Sequence, residues 1–218
     1  LVVENLSNIL KKISGFFFIF LIFVSCSNPK DSGVSAKRFD PSGEPVQKEL
    51  KRIKVLRKVS YDGIDFIVST KYRYEITALL KSSEKYYLGW ESEFSPVDFC
   101  LVWGKLSEKY IDKTIKYEQS SRWYFYRYDG DCQASSEYIS SHSSNNHIIP
   151  ATENLKNLLT SRLTNKIIYL KGYLVNIDGN KNGAKYWWRS SLSREDSGEG
   201  ACEVFYVTRA EVNNRIYK

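Results

Sequence analysis

Apolar residues at every second position constrain this chain more than any other feature. Ile64, Phe66 and Val68 alternate with Asp65 and Ser69, and Tyr72, Tyr74, Ile76, Ala78 and Leu80 alternate with Arg73, Glu75 and Thr77. Successive side chains of a strand point to opposite faces, so each series has one dry and one wet face. Ile168, Leu170, Gly172 and Leu174 repeat the pattern against Tyr169, Lys171 and Tyr173, and Gly172 predicts a bend or bulge. Residues 114–128 read as strand, with Trp123 and Phe125 opposed by Tyr124, Tyr126 and Tyr128, before an Asp129-Gly130 turn. Asn180-Lys181-Asn182-Gly183 turns the chain into a strand over Lys185–Leu192, and the last strand is expected over Cys202–Thr208.

Helix signals are fewer. Ser95-Pro96-Val97-Asp98 reads as a helix start, with Val97, Cys100 and Leu101 as its buried stripe and Gly104 at its end. A short helix is expected over Ser135–Ser141. Thr152-Glu153 opens another, whose stripe is Leu155, Leu158, Leu159 and Leu163. The fold class that follows is α+β: a mainly antiparallel rolled sheet, or small OB-like barrel, with two or three short helices. Aromatic residues make up 15% of the chain, which suits strands and argues against disorder. At 218 residues the core is large enough to need no disulfide scaffold.

The N-terminal region predicts an address. Lys11 and Lys12 precede an unbroken apolar run from Phe16 to Val24. That run is far shorter than the roughly 20 helical residues a membrane span takes, and it fits a signal-peptide core. Phe23-Val24-Ser25-Cys26 resembles a bacterial lipobox, although Phe23 stands where an aliphatic residue is usual. Cys26 is then the lipidated residue and the membrane a partner through that anchor. Ser27, by resemblance to the Gram-negative sorting pattern, directs the protein to the periplasmic face of the outer membrane. The chain begins at Leu1 and holds no Met, and the translation start is expected nearer Lys11. The expected organisation is a signal peptide over 1–25, a lipidated cysteine and tether over 26–58, and one globular domain over 59–218. Within the tether, Val46, Leu50, Ile53 and Leu56 recur at helical spacing among lysines and arginines, which predicts a basic helix near the membrane surface.

The net charge is +7, and removing Glu4, Lys11 and Lys12 with the signal leaves +6. This balance suits an anionic ligand without naming one. An envelope address argues against nucleic acid.

Three cysteines remain after Cys26. Cys100, Cys132 and Cys202 leave room for one disulfide and one free thiol, with spacing choosing no pair. Cys100 and Cys202 fall on expected core faces, as small hydrophobes. The two histidines, His142 and His147, are five apart and lack the companions of a zinc motif, so no metal is assigned. They read as a polar strap with Asn145, hydrogen-bonding backbone where a loop crosses the sheet, and either could serve as a general base. The loop from Arg189 to Gly200 offers two guanidinium forks, Arg189 and Arg194, with Asp196 to orient one of them. Trp123 supplies an aromatic wall. No phosphate-cradling glycine loop and no nucleophile elbow occurs, and no cofactor is expected.

Ser95-Pro96-Val97-Asp98, Trp103-Gly104, Ser120-Ser121-Arg122-Trp123-Tyr124, the stretch His142–Pro150, Lys171-Gly172-Tyr173-Leu174-Val175 and the stretch Trp188–Glu203 together resemble a family of uncharacterised bacterial lipoproteins. The likeness covers Tyr72 to Val207, and Asn146 departs from it where an apolar residue is usual. The resemblance brings no activity. It implies that His142, Asn145, His147, Arg189, Arg194 and Asp196 form one joint cluster. The functional expectation is a lipid-anchored, non-enzymatic envelope module that binds an anionic or polar ligand, or an envelope protein. Two alternatives stand beside it: a hydrolase using a histidine and an arginine, and an OB-like nucleic-acid binder.

Overall fold

A computed structural model describes residues 39–196, 198 and 200–218. The expected signal peptide over 1–25, Cys26 and residues 27–38 of the expected tether lie outside the described residues. The strands are β1 (Val46–Glu49), β2 (Val55–Tyr61), β3 (Ile64–Lys85), β4 (Val97–Val102), β5 (Ile115–Ser120), β6 (Trp123–Tyr128), β7 (Ser143–Pro150), β8 (Ile167–Lys181), β9 (Ala184–Arg189), β10 (Glu203–Val212) and β11 (Arg215–Tyr217). Four short helices join them: α1 (Trp90–Phe94), α2 (Lys109–Asp112), α3 (Ser136–Ser141) and α4 (Glu153–Leu159), with a 3-10 turn over Gly104–Ser107. Among the described residues no helix is long and apolar enough to cross a membrane.

The architecture is the expected α+β rolled sheet. β3 pairs with β4, β4 with β7, β7 with β10, β10 with β8, and β8 again with β3, so five strands form a ring. Of these pairings β7–β10 is parallel and the rest antiparallel. The strand order, with α4 between β7 and β8, is OB-like. β1 and β2 extend the sheet along β3, β9 extends it along β8, and β11 along β10. β5 and β6 form a separate hairpin.

The long alternating run serves two cores. Tyr74, Ile76, Ala78 and Leu80 point into the ring with Phe99, Leu101, Ile148, Leu170, Phe205 and the leucines of α4. Ile64, Phe66 and Val68 join a second cluster with Phe94, Ile149, Val175, Ile177 and Val204. Both series are even-numbered, yet they lie on opposite faces. The register against β8 slips by one residue between Thr70 and Tyr72, and one extra residue, Lys71, exchanges the faces. Gly172 marks a second irregularity as expected. A Cβ there would stand 1.9 Å from the Tyr206 carbonyl oxygen, where β10 shifts register between Val207 and Arg209.

Three local expectations are corrected. Residues 46–58 hold no helix: β1 and β2 lie along β3, and Leu56 and Val59 pack on the second cluster. Ser95-Pro96 opens a strand rather than a helix, because β4 sits between β3 and β7 with all six residues buried. A strand covered on both faces shows no alternation. The stretch after His142 is no loop either. It is β7, buried between β4 and β10 despite its polar sequence. The helix expected from Thr152 is present as α4, and the Thr152 hydroxyl accepts from the Leu155 N–H at 3.3 Å.

Candidate functional site

The site begins with an acid in an apolar strand. Asp98 interrupts Val97–Val102 and is fully buried. An unpaired carboxylate there would cost several kcal/mol, so partners must converge on it. His147 is its direct register partner on β7, and Nδ1 of that imidazole lies 2.9 Å from Asp98 Oδ2. Arg122 donates to Asp98 Oδ1 at 3.1 Å, and the Ser95 hydroxyl lies 3.3 Å from the same oxygen.

Arg122 reaches Asp98 from the turn of the β5–β6 hairpin. Ser121 and Arg122 have φ of 52° and 66°, left-handed positions that Asn and Gly usually fill in such turns. The Arg122 N–H donates to the Tyr86 hydroxyl at 2.8 Å, and its guanidinium lies 4.1 Å from the Tyr86 ring centre and 5.2 Å from that of Trp188. The cation is thus stacked between aromatics while bridging Asp98 and the Ser95 carbonyl, 3.2 Å away.

His147 is buried, with its ring centre 4.6 Å from that of Trp188. Burial opposes its charging, but the hydrogen bond to the Asp98 carboxylate and its charge, with a smaller effect of Cys202, prevail and lift its pKa to about 9. Cys202, just before β10, also meets Asn145 Nδ2 at 3.6 Å. Asn145 is held on both sides: Gln119 donates to its oxygen at 2.7 Å, and it donates to the Arg122 carbonyl at 2.8 Å. Asp98, Asn145, His147 and Cys202 therefore share the outer face of three adjacent ring strands.

That face opens into a cleft of about 760 Å³. Trp90, Trp123, Trp187 and Trp188 line it with Arg122 and Arg189, and His147 and Cys202 reach it too. Arg189 is anchored at the rim by Asp178 and by the Ile177 carbonyl at 2.8 Å. A second cavity of about 380 Å³ lies beside it, and Trp123 and Cys202 border both.

The expected joint cluster is divided. Of its members, His147 and Arg189 border the cleft, as does the separate candidate Trp123, and Asn145 touches the Arg122 carbonyl and Cys202. Arg194 instead pairs with buried Glu203 and donates to the Tyr74 hydroxyl at 2.7 Å, with its guanidinium 5.7 Å from the Trp103 ring centre. Tyr74 and Trp103 belong to the core inside the ring, whereas His147 faces outward. Asp196 orients neither arginine: it accepts from the Ser191 hydroxyl at 2.6 Å and lines the second cavity with Arg194. His142 caps α3, stacks on Tyr138 at 3.7 Å and meets Glu44 at 3.0 Å, away from both cavities. On β10 Glu203 shares the parity of Phe205 and Val207, which lie in the ring core, and through Glu203 Arg194 is drawn away from His147.

The cysteine expectations also change. Cys100, Cys132 and Cys202 are all free thiols. Cys100 is buried as expected, and burial pushes its thiol up. Cys202 is only half-buried and borders the cleft, so it is no core residue. Asp98, Arg122, Trp188 and Cys202 were not singled out as site residues. The available signal was the lone acid within an apolar run, which requires a buried partner. Among the described residues no three His, Cys, Asp or Glu side chains are grouped to hold a metal ion. No protein-family model matches this chain, and no curated protein or solved structure matches it.

Proposed function

We propose that the protein is a binding module whose cleft takes a ligand with a flat apolar part and an anionic or strongly polar part. The observation that carries this reading is the pairing of four tryptophans with Arg122 and Arg189 in one concavity. Its volume lies within the range of about 300–1,000 Å³ common for small-molecule sites. Tryptophan faces hold flat apolar groups and cations, and guanidinium forks recognise carboxylate, phosphate or sulfonate. Trp187 is 63% exposed, which leaves an aromatic face open to a ligand.

The test uses 1-anilinonaphthalene-8-sulfonate, a flat aromatic anion, titrated against the full chain with the tryptophan emission as readout. Saturable quenching is expected, weakened about tenfold by Arg189→Gln and by Trp187→Ala. Equal affinity in all three proteins would remove the cleft as the site. The module is further proposed to be lipid-anchored in a bacterial envelope, on the support of the Phe16–Val24 run and the Ser25-Cys26 junction. Palmitate labelling that persists in Cys26→Ala would overturn that address.

A further inference from the structure

We propose that Cys202, His147 and Asp98 form a nucleophilic thiol site, which would act on carboxylic esters or thioesters held in the tryptophan–arginine cleft. This inference rests on the cleft being a ligand site, as proposed above. β4 supplies Asp98, β7 supplies His147, and Cys202 immediately precedes β10. His147 Nδ1 is held 2.9 Å from Asp98 Oδ2, which leaves Nε2 free of that carboxylate, and His147 and Cys202 border the same cleft. A nucleophile against a base, with the base oriented by a carboxylate, is the geometry of activated thiol catalysis.

The surroundings suit the chemistry. The sulfur borders the cleft, whereas Asp98 is sealed from solvent. Asp98 touches no ligand-accessible space and acts as a positioning residue through His147. Asn145 Nδ2, fixed by Gln119 and the Arg122 carbonyl, sits 3.6 Å from the sulfur and is a side-chain donor for an oxyanion formed there. His147 holds its proton through the neutral range, so an imidazolium borders the same cleft as the sulfur and can supply a proton to a leaving group. The other charged groups facing this pair are Asp98 from β4 and Arg122 from the hairpin turn, with Glu91 and Arg189 in the same cleft.

In the acylation step the Cys202 thiolate attacks the carbonyl carbon. A C–S bond forms, the bond to the leaving alkoxide or thiolate breaks, and His147 gives that group its Nε2 proton. Water, losing a proton to His147, then attacks the thioester. A C–O bond forms, the C–S bond breaks, the acid is released, and the thiolate–imidazolium pair is restored. Water is the co-reactant, and no oxidant or reductant is consumed.

The test uses the full chain and two probes. With limiting iodoacetamide at pH 6.5, read peptide by peptide by mass spectrometry, Cys202 is expected to alkylate about tenfold faster than half-buried Cys132, and His147→Asn removes that advantage. With p-nitrophenyl acetate, a burst of nitrophenolate and an acetyl group on the Cys202 peptide are expected. Cys202→Ala abolishes both, and Cys132→Ser leaves both intact. Should His147→Asn fail to fold, the Cys202→Ala comparison decides alone. Alkylation of Cys202 at the Cys132 rate with no acetyl-Cys202 would overturn the inference. Intact anilinonaphthalene sulfonate binding beside that result would leave the binding module standing; acetyl-Cys202 formed without such binding would instead sink only the cleft reading.

Discussion

Raising the pH from 6 to 9.5 is expected to cost the folded protein about 3 kcal/mol through one proton on His147. An imidazole ordinarily titrates near 6.5, and beside Asp98 and Cys202 this one is lifted to about 9. The folded chain therefore binds the proton more tightly than the unfolded chain. The resulting stability is complete below about pH 6.5 and is lost as the pH rises through about 9. Between those limits the unfolded state binds fewer protons, so stability falls by about 1.4 kcal/mol per pH unit, and an interval of about 2.5 units sets the total. Urea unfolding followed by tryptophan emission at half-unit steps measures it directly. His147→Asn lacks the titrating proton but keeps a donor for Asp98, so its pH profile should be flat from about pH 6 to 8, below the range in which buried Cys100 adds its own loss. Equal slopes in the two proteins, or a wild-type stability that rises toward pH 9, would refute the argument.

Three further outcomes follow from named contacts. Gly172→Ala places a methyl group against the Tyr206 carbonyl and should lower stability by about 3 kcal/mol, measured as a fall in Tm. Arg194→Met leaves Glu203 buried without its cation and should cost about 3–5 kcal/mol in urea unfolding, of which a second change, Glu203→Gln, recovers part. Thr152→Ala removes the cap of α4 and should cost about 1 kcal/mol, with no effect on anilinonaphthalene sulfonate affinity.

Sequence periodicity carried far where one face of a strand is wet. The runs through Ile64–Leu80 and Ile168–Leu174, the Asn182-Gly183 turn, the bend at Gly172 and the stripe of α4 were all legible. It failed where an element is covered on both sides. β4 looks helical because Val97–Val102 has no polar alternation, and β7 looks like a loop because Ser143–His147 is polar although buried between two strands. Residues 46–58 misled for another reason. Their charged residues give a helical pattern, but the long edge of β3 offers two pairing sites that outweigh local preference. The site was legible only by halves. Of the candidates, His147, Arg189 and Trp123 border one cleft, whereas Arg194 pairs with Glu203, whose place on β10 depends on the β7–β10 pairing, and no local pattern encodes that. Asp98, Arg122 and Cys202 meet through strand register across distant segments.

The surplus residue at Lys71 makes β3 a slip joint. A deletion elsewhere in the run would turn one half of the strand inside out, setting Arg73 and Glu75 toward hydrocarbon or exposing Phe66 and Val68. Removing Lys71 itself would only straighten the ladder, with both halves keeping their orientation. The two cores can therefore drift apart in sequence, provided any change in length between them is absorbed at that single joint.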